Sequence, residues 1–241
     1  MPATADIFAQ AAKHIFHDVG DWLGVLPAEV NAADAQGWTV LHYCAAAEAT
    51  GKDIEVAVAM LLQAGADPHQ PDAKGDTPFN IAAPASPVAG RLMTNHWLSE
   101  ALEGRGPKKL NDRSGSHGST LAQYMAKWSS DDEIEAQLKD AVSHGLKVDV
   151  LNASGWTPLS AAAAMGRAAA VRAFIWHYTH EAVYAKTTES YAATYNGHKV
   201  TYGAGLTASE IAFVRLEQDK GASTALQNGL SACIGIILMR S

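Results

Sequence analysis

The chain has little of what marks a catalyst, a disulfide scaffold or a membrane span. Two cysteines, Cys44 and Cys233, stand far apart in 241 residues, which fits neither a disulfide framework nor a cysteine zinc site. Residues Met1–Ile7 lack the basic stretch and apolar run of a secretory leader. The apolar tail Gly229–Met239 spans 11 residues, whereas a bilayer-crossing helix needs about 20. Phosphate cradles are missing too: Arg113-Ser114-Gly115-Ser116-His117-Gly118 has neither a Lys-Ser/Thr ending nor a preceding strand. Cys44 is followed by no plausible base, and no hydrolase, kinase or dinucleotide motif is present. These absences lead us to expect a soluble cytoplasmic protein that is not an enzyme and has no cofactor and no metal.

What is present is alanine and acid. The 48% hydrophobic fraction is rich in alanine, the strongest helix former and one that lets helices approach closely. The formal charge of −7 offers no broad basic surface for nucleic acid. That charge is uneven: residues 1–76 hold 11 acids against Lys13, Lys52 and Lys74, net −8, while residues 77–241 are nearly balanced at +1.

Self-comparison finds an internal repeat. Gly37-Trp38-Thr39-Val40-Leu41-His42, Gly75-Asp76-Thr77-Pro78-Phe79-Asn80 and Gly155-Trp156-Thr157-Pro158-Leu159-Ser160 follow one template, and Gly205-Leu206-Thr207-Ala208-Ser209-Glu210 is a weaker copy. A fifth copy, aligned on Ser119 in His117-Gly118-Ser119-Thr120-Leu121-Ala122, replaces the first glycine. The template resembles the ankyrin repeat, a β-turn and two antiparallel helices with a Thr-Pro-Leu-His-x-Ala signature. Val58–Pro68 is similar to that family's outer helix with its Gly-Ala-Asp ending, and Leu138–Gly145 repeats it. The resemblance implies an all-α ankyrin-repeat solenoid, a single domain over 1–241 with units at about 1–33, 34–71, 72–113, 114–151, 152–201 and 202–241. In the first unit, Phe8, Ala11 and Ala12 take the inner-helix core positions and Val30-Asn31 closes the unit.

Local chemistry agrees with that reading. A threonine ahead of each helix caps free N–H groups, and Pro78 and Pro158 fall in the first turn, where a missing N–H costs nothing. The excess over a 33-residue unit is about five residues near Glu48–Lys52, about nine around Ala85–Val88 and Glu103–Asn111, and about 17 in the fifth unit. In that last insertion, about 188–203, Asn196-Gly197 between β-favouring flanks predicts a hairpin. We expect it to protrude, so that deleting Thr188–Gly203 leaves a cooperative melt. The apolar tail is expected to form a buried outer helix beneath it.

The histidine pairs His14/His17 and His177/His180 have a shared-face spacing, but neither has the cysteines or carboxylates that complete a zinc site. An enzyme site built from His177, His180 and His198 is the weaker alternative. His42 sits at the signature histidine, a bracing position in the family. The family's variable contact positions fall on Gln36, Trp38, Lys74, Asp76, Ser154 and Trp156 at the turns and on Ala46-Ala47, Ala126-Lys127 and Ala164-Met165 along inner helices. Tyr191, Tyr195, His198 and Tyr202 on the hairpin complete the candidate partner-binding set. The expected function is recognition of another protein, with no nucleic acid and no membrane, by a monomer or weak dimer. It resembles bacterial ankyrin proteins that act as immunity proteins or toxin inhibitors, for which the acidic amino-terminal third suits a basic toxin or enzyme. A secreted effector or scaffold acting on host proteins is the alternative.

Overall fold

The computed structural model describes residue 11 and residues 29–47, 52–82, 87–195, 198–219 and 221–240. Its elements run α1 (Val40–Ala46), α2 (Lys52–Gln63), α3 (Pro78–Ile81), α4 (Pro87–Glu103), β1 (Arg113–Ser114), β2 (Ser119–Thr120), α5 (Leu121–Trp128) and α6 (Ile134–Ser143). They continue with α7 (Pro158–Ala164), α8 (Ala168–Ile175), α9 (His180–Val183), β3 (Tyr191–Tyr195), β4 (His198–Tyr202), α10 (Ala208–Gln218) and α11 (Thr224–Leu238). Of the first unit, Phe8, Ala12, His14 and His17 lie outside the described residues, while Ala11 is buried.

Each repeat begins at a threonine in extended backbone. Thr39, Thr157 and Thr207 accept hydrogen bonds from the N–H groups of His42, Ser160 and Glu210. At Thr77 and Thr120 the fourth residue of the box does the work: Asn80 Oδ1 and Gln123 Oε1 accept the threonine N–H at 3.2 and 2.7 Å. This corrects the alignment of the fourth unit by one residue. The N-cap is Thr120, not Ser119, and Gly118, at φ +58°, is the template glycine that seemed lost. Gln123 takes the histidine's place, donating to Trp156 O as His42 Nε2 donates to Asp76 O.

The turns ahead of these helices share one construction. Asp34 Oδ1 accepts the N–H groups of Gln36 and Trp38, Asp72 Oδ1 those of Lys74 and Asp76, and Asn152 Oδ1 those of Ser154 and Trp156, all at 2.8–3.0 Å. A side-chain oxygen thus fixes a tight reversal that backbone bonds alone would leave open. Neighbouring turns are tied by backbone bonds, Ala73 N–H to Gln36 O and Ala153 N–H to His117 O, both 3.0 Å. Farther back, Asn31 and Asn111 clip successive units identically: each amide donates to a helix-ending glycine carbonyl, Gly65 or Gly145, and accepts the N–H two residues on.

The chain divides into two compact bodies, Met1–Trp97 with Ser114–Ser116, and Leu98–Arg113 with His117–Ser241. In the first body α1 packs on α2 and α3 over Leu41, Cys44, Ile54, Val58 and Phe79, with Met93 and Trp97 of α4 also buried. In the third unit the long helix α4 takes in Val88 and Glu103 at the margins of the two expected loops, residues 104–112 run irregularly, and Ala85 and Ser86 lie outside the described residues. In the second body α5 packs on α7, α7 on α8 and α10, and α10 on α11. The apolar tail is an outer helix as expected, but its cover is α10, α8 and α7 rather than the hairpin. It buries Leu230, Cys233 and Ile237 and leaves Leu238 and Met239 54% and 88% exposed.

Candidate partner-binding surface

In the first body the turn tips expose Gln36 and Lys74 and half-bury Trp38 and Asp76. Trp38 is braced rather than free: its Nε1 donates to Asp72 Oδ2 at 3.0 Å, and its ring lies against His42 and Tyr43, with centroids 6.0 and 5.0 Å away. Tyr43 donates to the second oxygen of Asp34 at 2.6 Å. Burial raises the Asp34 and Asp72 carboxyls, yet their bonds from Tyr43, Trp38 and the turn amides outweigh it and hold both below the usual range. The acids therefore stay ionised while held in place by these bonds.

His42 lies at the centre of this arrangement and is fully buried. Its Nδ1 accepts the Thr39 N–H at 3.0 Å and its Nε2 faces Asp76 O at 3.3 Å, so the neutral ring donating from Nε2 satisfies both. Burial lowers its pKa, against the opposing pull of Asp76, Asp72 and Asp34. A depressed histidine binds fewer protons folded than unfolded, so its contribution is complete above the ordinary histidine value, near 6.5. It is lost as pH falls from there through the folded value. Denaturant melts of the wild type should lose first-body stability between pH 7 and pH 5. His42→Gln copies the Gln123 arrangement without a titrating group and should flatten that decline. An equally steep decline in the variant would show that other groups cause it.

The second body places its predicted site residues differently. Ser154, Trp156, Tyr195 and Tyr202 are buried, at 8%, 8%, 5% and 0% exposure, and are packing rather than surface residues. The hairpin does not protrude as expected but folds onto its own repeats. Tyr195, Val200 and Tyr202 form a cluster with Trp156, Ala164 and Ile211, with Tyr191, Ala193 and Met165 along its margin. Arg215 of α10 closes it. Its guanidinium lies 3.6 Å from the Tyr195 ring centroid, donates to Ala164 O, and faces Asp219 at 3.6 Å in a site 4% and 2% exposed. Tyr202 donates to the Tyr195 hydroxyl at 3.2 Å.

The insertion grows out of a repeat turn without breaking its base. Thr187 N–H donates to Leu206 O, Gly205 N–H to Thr187 O, and Leu206 N–H to Thr187 Oγ1, at 3.0, 2.8 and 3.1 Å. Asp72, Gly75 and Asp76 make the same three bonds. Residues 188–204 therefore replace the two between Asp72 and Gly75. One consequence is an orphan: Trp156 stands where Trp38 does, but the following turn offers Thr187 instead of a carboxylate, and Trp156 Nε1 is buried without an acceptor. Thr187→Asp should supply one and raise second-body stability by about 1 kcal/mol in a urea melt. An unchanged or lower midpoint would show that this N–H carries no penalty.

Four predicted residues of this body reach solvent in whole or part. His198 is exposed, and Lys127, Met165 and Tyr191 are half-buried. With the corrected N-cap, Lys127 stands where Ala46 and Ala164 stand in their units. Its ammonium lies 5.9 Å from the Tyr124 ring centroid, and burial lowers its pKa. Sequence reading did not single out His117, whose exposed ring stands 5.9 Å from that of Tyr191. His177 and His180 are exposed, His177 just past the outer helix α8 and His180 at the start of α9. Among the described residues no three of His, Cys, Asp and Glu gather where they could hold a metal ion, and no helix is long and apolar enough to cross a membrane.

Residues 36–73 match the family model of the ankyrin repeat. No curated protein is similar to the chain in sequence. Among solved structures, the ankyrin-repeat protein EF0377 aligns with a TM-score of 0.52 and 17% identity, over 99% of this chain and 98% of that one. The ankyrin-repeat domain of Bcl-3, a member of the IkappaB protein family, aligns at 0.48 and 17%, over 98% and 85%. The family match over 36–73, the fold shared with EF0377 and the turn construction repeated at Asp34, Asp72 and Asn152 show that the chain has the ankyrin-repeat fold.

Proposed function

We propose that this protein recognises another protein without catalysis, and that it does so as an inhibitor of the immunity-protein kind. Ankyrin repeats are protein-interaction modules, which supports the first half of that reading. The observation that carries the rest is the pinned acidic tip: Gln36 and Lys74 stand exposed on turns locked by Asp34 and Asp72, so binding costs little ordering. Trp38 and Asp76 flank them. In the second body the accessible Lys127, Met165, Tyr191 and His198 form the corresponding contact set, and Ser154, Trp156, Tyr195 and Tyr202 drop out of it as core. Ionised, immobile carboxylates steer a basic partner and speed association at low salt.

The test is photo-crosslinking in extracts of the source cell with benzoylphenylalanine placed at Gln36 or Lys74. One basic protein species should be trapped from both positions and not from Lys139 on outer helix α6, with a yield that falls steeply as salt rises. Equal trapping from Lys139, or salt-independent yield, overturns the reading.

A further inference from the structure

The hairpin has two edges, and the structure closes only one. Across a two-residue connection the closing pair Tyr195–His198 exchanges backbone bonds, and alternate pairs follow it. The register then turns the backbones of Ala192 and Thr194 outward on β3, and those of Lys199 and Thr201 outward on β4. Gln218 of α10 covers the β4 edge, its Oε1 accepting Thr201 N–H at 2.9 Å and its Nε2 donating to Thr201 O at 3.2 Å. On β3, no backbone group among the described residues pairs with the outward N–H and C=O of Ala192 and Thr194, and both side chains are exposed.

Exposed edges are ordinarily guarded by charge, proline or a bulge, because they template pairing with another chain. β4 carries Lys199. β3 reads Tyr-Ala-Ala-Thr-Tyr and pairs in unbroken register, with none of these guards.

Basic side chains stand on the fourth unit beside the open edge, while Glu189, two residues ahead of β3, accepts from the Ser154 hydroxyl at 3.2 Å. β4 packs on α10, and the hairpin covers Trp156 and Ala164 of the fifth unit, which leaves the open side of β3 toward the fourth. There His117 meets Tyr191, and Arg113 Nη1 donates to Gly118 O at 2.8 Å beside it. Lys127 holds the position on α5 that Ala164 holds on α7, and α5 and α7 pack together. No carboxylate among the described residues lies within ion-pair distance of Lys127 or Arg113.

We propose that β3 is a strand-addition site: an extended acidic segment of a partner protein pairs its backbone with Ala192 and Thr194 and lays a carboxylate against Lys127 and Arg113. Main-chain bonds supply the attachment in this mode, and alternate side chains supply the choice of sequence. The inference rests on the protein-recognition reading above and names how one part of the surface would serve it.

The test uses the full-length chain, labelled with nitrogen-15, and two capped hexapeptides, Thr-Val-Glu-Val-Thr-Val and the same sequence with lysine for glutamate. The glutamate peptide should shift the Ala192 and Thr194 amides and slow their exchange at least tenfold, and should bind at least tenfold more tightly than the lysine peptide. Lys127→Gln should shrink that preference to threefold or less. Thr194→Pro removes an outward N–H and no hairpin bond, so it should abolish binding while the Ala193 and Val200 amides stay protected. If proline disturbs those amides, Ala192→Pro, at the other outward-facing position, provides the block instead. No shift at Ala192 and Thr194 at millimolar peptide, equal affinity for both peptides, or unchanged binding in a variant with an intact hairpin overturns strand addition. Each of these failures leaves recognition itself to be decided by crosslinking from Gln36 and Lys74.

Discussion

Replacing Arg215 with alanine should destabilise the second body by about 3–5 kcal/mol, the usual cost of stranding one member of a buried ion pair. Asp219 would be left without its cation in a site 2% exposed, Ala164 O would lose its donor, and the Tyr195 ring would lose the guanidinium lying 3.6 Å from its centroid. The loss should spread to the hairpin, because Tyr195 and Tyr202 pack in the same cluster with Ile211 of α10. Deleting Thr188–Gly203 should uncover that cluster and weaken the body for the same reason, where the sequence suggested a protruding hairpin whose removal leaves a cooperative melt. Arg215→Met separates the contributions. It keeps most of the packing volume and still strands Asp219, so it should recover only part of the loss. Urea melts followed by circular dichroism measure both variants, and a cost below about 1 kcal/mol for Arg215→Ala would mean that the pair is not holding the hairpin down.

Gly155→Ala should cost roughly 2–4 kcal/mol, combining left-handed backbone strain with overpacking. The residue sits at φ +75°, and a Cβ there would lie 2.6 Å from Thr188 N, the amide that donates to Ser154 O at 3.1 Å and ties the fifth turn to the base of the hairpin. Gly145 is the internal comparison: its φ is +94° but nothing lies within 4 Å of an added Cβ. Gly145→Ala should therefore cost only the strain, about 1 kcal/mol. Thermal or urea midpoints of the two variants measure the difference, and equal losses would remove the role assigned to the close approach of neighbouring turns.

The fold was legible because its determinants are local. A glycine and, two residues on, a threonine fix a turn and a cap whatever packs above them, and this template recurs at Thr39, Thr77 and Thr157, with a helix-starting proline after the last two. The one-residue error in the fourth unit arose where serine and threonine are adjacent and either hydroxyl could cap. Gln123, three residues past Thr120, was the local signal that would have settled it. Asn-Gly announced the hairpin for the same local reason.

Where the hairpin goes was not legible. Its placement depends on Tyr195, Tyr202 and Arg215 meeting Trp156 and Ala164 across long sequence separations, and no periodicity records such contacts. Ser154, Trp156, Tyr195 and Tyr202 consequently lie in the core: the same pattern that marks Trp156 as a tip residue cannot say that the insertion folds over it. The Trp156 orphan likewise became visible only when Thr187 was seen to occupy the place of Asp72.

Native-state amide hydrogen exchange of the full chain tests the central claim most directly, that the hairpin is a repeat turn extended with its base intact and one edge open. The amides of Trp38, Asp76, Trp156 and Leu206 each donate to the side-chain oxygen that opens their turn and should exchange slowly. Those of Ala192 and Thr194 should exchange at close to free-peptide rates. Rapid exchange at Leu206 together with protection at Thr194 would contradict the account.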